Sequence, residues 1–123
     1  MKVILVEDEL LIAKVLSNNL ESLGYTVLGN ATNGNDALEM VQKWTPDLVF
    51  MDIFLEGEMD GIEAYQKIQE IYPSKVIYIT ANNDPYYMKK AKATNYLAFL
   101  TKPIEKHTLQ EVLSLAKNSF SKN

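Results

Sequence analysis

Five short apolar runs alternate with five stretches in which apolar residues recur every three or four positions. Val3-Ile4-Leu5-Val6, Tyr25–Thr32, Leu48-Val49-Phe50-Met51-Asp52, Val76-Ile77-Tyr78-Ile79 and Tyr96–Thr101 read as strands. The first, third and fourth are nearly unbroken apolar runs, as expected of strands covered on both faces. Ile12, Val15, Leu16, Leu20 and Leu23 mark the first helix, which Gly24 stops, and Ala37, Leu38 and Val41 mark a second that ends before Pro46. The third starts at Gly61, carries Ile62, Tyr65, Ile68 and Tyr72, and breaks at Pro73. Asp84-Pro85 is a helix start, with a carboxylate to cap and a proline that needs no donor in the first turn. That fourth helix is expected to run to about Thr94, with Asn95 tolerating left-handed geometry at the turn. Leu109, Val112, Leu113, Ala116 and Phe120 share one face of the fifth.

A βα repeat of this kind builds a parallel sheet, and right-handed crossovers with short loops leave few arrangements open. The expected fold is α/β and flavodoxin-like: a doubly wound, five-stranded parallel sheet of order 2-1-3-4-5 with five flanking helices. The 123 residues suit one domain, 1–123, with the polar end 119–123 expected to be a disordered tail. In this order strands one and three are neighbours at the point where the winding reverses, and ligands of such sheets bind outside the carboxyl ends of the strands.

That edge is where the polar residues stand. Asp52 closes the third run, Glu7, Asp8 and Glu9 follow the first, Thr80 ends the fourth and Lys102 follows the fifth. Crowded carboxylates repel one another, and the simplest relief is a divalent cation. Oxygen-only ligands favour Mg²⁺, or the similar Mn²⁺, over zinc. Such a cation takes one or two carboxylates and often a phosphoryl oxygen, so a phosphoryl group is the natural missing partner. Lys102 would then set a positive charge against it, and Thr80 would donate a hydroxyl hydrogen bond. Singly, each residue has a plainer explanation: an acidic helix start for Glu7-Asp8-Glu9, an ordinary strand threonine, a solvated lysine. Asp52 has no such alternative, and the convergence of all four positions carries the weight.

Composition removes other classes. No cysteine is present, so disulfides, thiolate metal sites and cysteine nucleophiles are excluded. All 12 basic residues are lysines and the net charge is -4, which argues against direct nucleic-acid reading. Lys89-Lys90-Ala91-Lys92 is a local basic run, read as a solvated helix face before a docking patch for an acidic partner. Met1-Lys2 leads straight into a strand, far short of a signal peptide core or a membrane span, so the chain is expected to be soluble and cytoplasmic, with no membrane partner.

Taken in order and spacing, the fragments Ile4-Leu5-Val6-Glu7-Asp8-Glu9, Val49-Phe50-Met51-Asp52, Met59-Asp60-Gly61-Ile62-Glu63, Ile79-Thr80-Ala81 and Phe99-Leu100-Thr101-Lys102-Pro103 resemble the receiver domain of two-component response regulators, including the chemotaxis-type regulator. The resemblance covers Lys2 to about Phe120. It implies a phosphorelay receiver that is not itself an enzyme, taking a phosphoryl group on Asp52 from a histidine kinase or histidine phosphotransfer protein. It further implies that Asp8 and Asp52 ligate Mg²⁺, that Glu7 holds a metal-bound water, and that the Phe54 backbone carbonyl completes the protein ligands. Thr80 would be the switch hydroxyl, Phe99 the switch aromatic, and Lys102 the bridge to the phosphoryl group, with Lys102-Pro103 cis. Strand phenylalanines are most often plain core, which is the alternative for Phe99. The output face would be helix four, strand five and helix five, where Tyr86, Tyr87, Met88 and Tyr96 suit an output protein or domain or a second copy of the chain. The one histidine, His107, reads as a solvated helix residue.

The chain departs from the commonest receiver form in places. The loop Ile53–Gly61 is one residue longer, Glu56 stands where proline is frequent, and Asn95-Tyr96 replace a Gly-Ala pair. Phe54, with Asn82 as its counterpart, is expected to shield the acyl phosphate and slow its hydrolysis. Three other readings compete. A Mg²⁺-dependent phosphohydrolase of haloacid dehalogenase or toprim type wants a second carboxylate two residues after the key one, where Phe54 and Leu10 stand. A flavin binder would set Glu7-Asp8-Glu9 against the flavin phosphate. A degenerate receiver acting only as an interaction module would have lost Asp52, Thr80 or Lys102, and all three are present.

Overall fold

Each predicted strand takes its place in one parallel sheet of order β2-β1-β3-β4-β5, in a computed structural model that describes residues 1–81 and 84–121. The strands are β1 (Lys2–Val6), β2 (Thr26–Ala31), β3 (Leu48–Asp52), β4 (Lys75–Thr80) and β5 (Tyr96–Thr101). The helices are α1 (Leu10–Ser22), α2 (Gly34–Trp44), α3 (Gly61–Ile71), α4 (Pro85–Lys92) and α5 (Lys106–Ser121). Alternation along the strands divides the core in two. Val3, Leu5, Leu48, Phe50, Ile77 and Ile79 pack with Leu16 and Leu20 of α1 and Leu109 and Leu113 of α5. Ile4, Val6, Val49, Met51, Val76 and Tyr78 pack with Val41 of α2, Ile62, Tyr65 and Ile68 of α3, and Ala91 of α4. Both faces of β1, β3 and β4 are therefore covered, which is why their runs are apolar without alternation.

Local rules set the helix ends. Gly24 has φ +93, a left-handed conformation that costs glycine little, and α1 closes as the Gly24 and Tyr25 N–H groups donate to the carbonyls of Glu21 and Leu20. That closure uses Tyr25, so β2 starts at Thr26, one residue later than expected. The Asp60 side chain accepts the Glu63 N–H while Glu63 accepts that of Asp60, a reciprocal cap that starts α3 at Gly61 as expected. Asp84 caps α4, accepting the Tyr86 N–H at 2.9 Å.

The structure corrects two further expectations. Asn95 is not left-handed: the turn before β5 is already closed by Thr94, whose hydroxyl donates to the Ala91 carbonyl at 2.6 Å. The one non-glycine residue with positive φ among those described is Thr45, at φ 43, where Pro46 disfavours continuing the helix. Residues 119–121 are not a loose tail but the end of α5, where the Phe120 ring lies under the Lys75 ammonium at 6.0 Å; residues 122 and 123 lie outside the described residues. No helix among the described residues is long and apolar enough to cross a membrane.

Candidate functional site

Because β1 and β3 are paired, with Val6 beside Met51, the residues that follow each strand meet at the carboxyl edge of the sheet. Asp52, the last residue of β3, is only 3% exposed and lies on the side of the pleat that carries Leu48 and Phe50. The Phe54 N–H donates to its Oδ1 at 3.0 Å, and Lys102 Nζ lies 3.4 Å from its Oδ2. Glu7, the first residue past β1, is fully buried. Its Oε1 accepts the Glu9 N–H at 3.0 Å and Lys102 Nζ at 3.2 Å. Its Oε2, 3.1 Å from the same ammonium, makes no hydrogen bond. Half-buried Asp8 completes the group: one oxygen each of Glu7, Asp8 and Asp52 lie within 4.8 Å of one another.

The plainer reading of Glu7-Asp8-Glu9 as an acidic helix start does not describe these residues. α1 begins at Leu10, its first turn carries no acid, and Glu9 at the cap position makes no capping bond with its side chain. Instead Glu7 is tied into the sheet, with its N–H donating to the Ala31 carbonyl at 2.9 Å and its own carbonyl accepting Asn30 Nδ2 at 3.1 Å.

One ammonium faces three carboxylates, since Lys102 Nζ also lies 3.0 Å from Glu9 Oε1. Burial pushes the Glu7 carboxyl up to about 7, helped by the Asp52 charge and opposed by the Glu9 N–H and Lys102. Burial by itself lowers Lys102, but hydrogen bonds to Glu9 and Glu7 and the Asp52 charge outweigh it and hold the ammonium above the ordinary lysine value. Lys102 is thus a fixed positive charge, whereas the Glu7 carboxyl takes up a proton more readily than an ordinary carboxylate does. The donor set fits a hard divalent cation: every ligand atom is oxygen, the carboxylates outnumber the ammonium, and Glu7 Oε2 is buried with no hydrogen-bond partner.

Thr80 is buried at the end of β4, on the opposite side of the pleat from Asp52, and the Lys102 N–H donates to its carbonyl at 2.9 Å. Phe99, two residues before Thr101 on β5, is half-buried and stacked on Tyr78 with centroids 5.7 Å apart, while Tyr96 approaches it at 4.7 Å. It therefore packs against the edge of the core without being enclosed by it. The Lys102-Pro103 peptide is cis, as the resemblance implied. Phe54 is half-buried with its ring edge-on to Tyr87 of α4 at 4.7 Å; Asn82, its expected counterpart, lies outside the described residues. His107 is exposed, with Nδ1 3.3 Å from Glu105 Oε2, and so takes no part in the acidic edge. In the basic run, Lys90 pairs with Asp60 at 3.0 Å while Lys89 and Lys92 are exposed.

Two participants escaped the reading of the sequence. Glu9 was visible only as part of an acidic triplet, yet it shares Lys102. Tyr87 was visible as part of an aromatic cluster, with nothing to show that it reaches Phe54. Both contacts cross between elements, where sequence spacing carries no signal.

Residues 3–114 match the model of the response regulator receiver domain. The chain is 32% identical over 114 residues to the chemotaxis protein CheY of Thermotoga maritima, covering 92% of this chain and 94% of that protein. It is 31% identical over 119 residues to the transcriptional regulatory protein PdtaR of Mycobacterium tuberculosis, covering 97% of this chain but only 58% of that protein's length. Among solved structures, the signal receiver domain of a modulated diguanylate cyclase from Desulfovibrio desulfuricans superposes with a TM-score of 0.89 at 35% identity, covering 96% of this chain and 94% of that one. The N-terminal domain of a response regulator/sensory box/GGDEF three-domain protein from Carboxydothermus hydrogenoformans gives 0.89 at 32%, covering 98% and 97%.

Proposed function

We infer the function of this chain from one premise: it belongs to the family of response regulator receiver domains, the signalling domains of two-component systems. On that premise Asp52 is the acceptor of a phosphoryl group carried by the phosphohistidine of a histidine kinase or phosphotransfer protein, and the chain acts in the cytoplasm. The observation that carries this reading is the carboxylate of Asp52, buried at the end of β3 among Glu7, Asp8 and Lys102. A buried carboxylate in that company is poorly solvated and held in a fixed direction, as an attacking oxygen should be.

Phosphoryl transfer asks a protein mainly for positioning and charge neutralisation. Asp8 and Asp52, with the Phe54 carbonyl, would hold Mg²⁺, and Glu7 would hold one of its waters through the oxygen that lacks a hydrogen bond. Bound there, the ion would neutralise charge on the phosphoryl oxygens. Lys102 would exchange one of its carboxylate partners for a phosphoryl oxygen. Thr80 would donate its hydroxyl to the phosphoryl group once it has arrived, and Phe99 would follow it inward. Exposed Leu11 and Val15 of α1, which line an apolar groove with Ile12, Pro103 and Ile104 beside Lys102, offer the donor an apolar footing next to the reacting atoms. The α4–β5–α5 face would carry the signal to an output protein or domain, or to a second copy of the chain; Tyr86 is exposed there, while Tyr87, Met88 and Tyr96 are half-buried.

Incubation with acetyl phosphate and Mg²⁺, followed by intact mass measurement, tests the reading. The chain should gain one phosphoryl group and Asp52→Asn should gain none. Catalytic turnover of a generic phosphate ester without a stable adduct would point to a hydrolase instead.

A further inference from the structure

α4 is a short helix with little holding it to the domain. Of its eight residues only Ala91 is buried, and a helix of this length is marginal without tertiary support. Two of its side chains, three residues apart and hence on one face, reach the loop that joins β3 to α3. The Tyr87 ring meets the edge of Phe54 at 4.7 Å and 71°. Lys90 Nζ donates to Asp60 Oδ2 at 3.0 Å, and Asp60 is the residue that caps α3. The loop is thus gripped near both ends. Its first part is also the part closest to the chemistry, because the Phe54 N–H is bonded to Asp52 Oδ1.

We propose that Tyr87 is a positioning residue for the acceptor site: by seating Phe54 it fixes the backbone whose N–H holds Asp52 and whose carbonyl would face the cation. The ring contact supplies the grip, and the Lys90–Asp60 pair supports it from the other end of the loop. The route is distinct from the Thr80 and Phe99 switch, since it leaves Asp52 through its own chain and crosses to α4 through an aromatic edge. By reciprocity, a change in the seating of α4 should alter cation affinity at the acidic edge, and cation binding should alter the protection of α4. The inference rests on the reading of this edge as a Mg²⁺ site.

The test is a double-mutant cycle read by Mg²⁺ titration calorimetry on the unphosphorylated chain, using Tyr87→Ala, Phe54→Ala and the pair. Aromatic pairs of this geometry contribute enough that Tyr87→Ala should weaken Mg²⁺ binding by about three- to tenfold. Tyr87→Phe, which keeps the ring, should bind as the unaltered chain does. The two alanine changes should be non-additive, and amide exchange in α4 should slow on adding Mg²⁺ in the unaltered chain but not in Tyr87→Ala. If Tyr87→Ala does not fold, Tyr87→Leu keeps the apolar volume, removes the ring, and should show the same loss. Additive effects, or Mg²⁺ affinity indifferent to the ring, would overturn this inference alone. Failure of the unaltered chain to bind Mg²⁺ would overturn the proposed function and this inference with it.

Discussion

The two ends of the sheet's carboxyl edge are built to different standards. Where β1 and β3 meet, the strands are buried on both faces and Glu7 and Asp52 are withdrawn almost entirely from water. Where β4 passes to α4 and β5, the helix buries one residue and β5 is half-buried for most of its length. Groups that act by position need the first kind of environment, because directional charge is worth most where neither water nor the backbone can rearrange to dissipate it. An element that reports a change needs the second, since local opening is cheapest where few apolar contacts must be broken. The aromatic link from Phe54 to Tyr87 and the ion pair from Asp60 to Lys90 cross between the two regions.

The largest effect expected on the rigid side comes from Lys102→Ala. Losing a preorganised charge aimed at the phosphoryl oxygens should slow phosphoryl uptake from acetyl phosphate by about a hundredfold or more. An unchanged rate would mean that the buried ammonium only balances charge. Gly61→Ala comes next, in unfolding by urea: a Cβ at Gly61 would collide with the Asp52 carbonyl and crowd Met51, so either the α3 start or the end of β3 must move. A loss of about 2–3 kcal/mol is expected. Indifference to the methyl group would show this side to be softer than its burial suggests.

A smaller effect follows from pH in the absence of divalent cation. Folded Glu7 keeps its proton to about 7, whereas the unfolded chain releases it near 4.5, so unfolding releases a proton between those values. Stability present below that window should therefore fall as pH rises through it, by about 3 kcal/mol, and saturating Mg²⁺ should abolish the slope. Thermal unfolding from pH 4 to 8, with and without Mg²⁺, reads this directly. The smallest effect is at the junction. Phe54→Asn should speed hydrolysis of the phosphorylated form several-fold by replacing an apolar shield with a side chain that can hold water. Decay measured by intact mass over time checks this, and an unchanged or slower decay would remove the shielding role.

The elements of both regions were legible in the sequence and the contacts between them were not, for a physical reason. Continuous apolar runs report burial on both faces, and right-handed crossovers leave few strand orders, of which the expected one makes Asp52 and Asp8 neighbours. Gly24, Pro46, Pro73 and Asp84 act on their own neighbours, so most helix ends were readable to within a residue or two. Asn95 misled because its left-handed tolerance was not needed once the Thr94 hydroxyl had closed the turn, and Thr45 took the left-handed position instead. The polar composition at 119–123 hid the fact that Phe120 has an ammonium to pack under. The Glu9 share of Lys102 and the grip of Tyr87 on Phe54 depend on how separate elements dock, which no periodicity encodes.

The central claim is that one carboxylate, Asp52, takes the phosphoryl group. An acyl phosphate is reduced by borohydride to the alcohol, so a phosphorylated aspartate becomes homoserine, a change that peptide mapping locates. After incubation with acetyl phosphate and Mg²⁺, then borohydride, position 52 should read as homoserine, and Glu7, Asp8 and Glu9 should be unaltered. Reduction at any of those three, or phosphorylation with no reducible residue at position 52, would contradict the account.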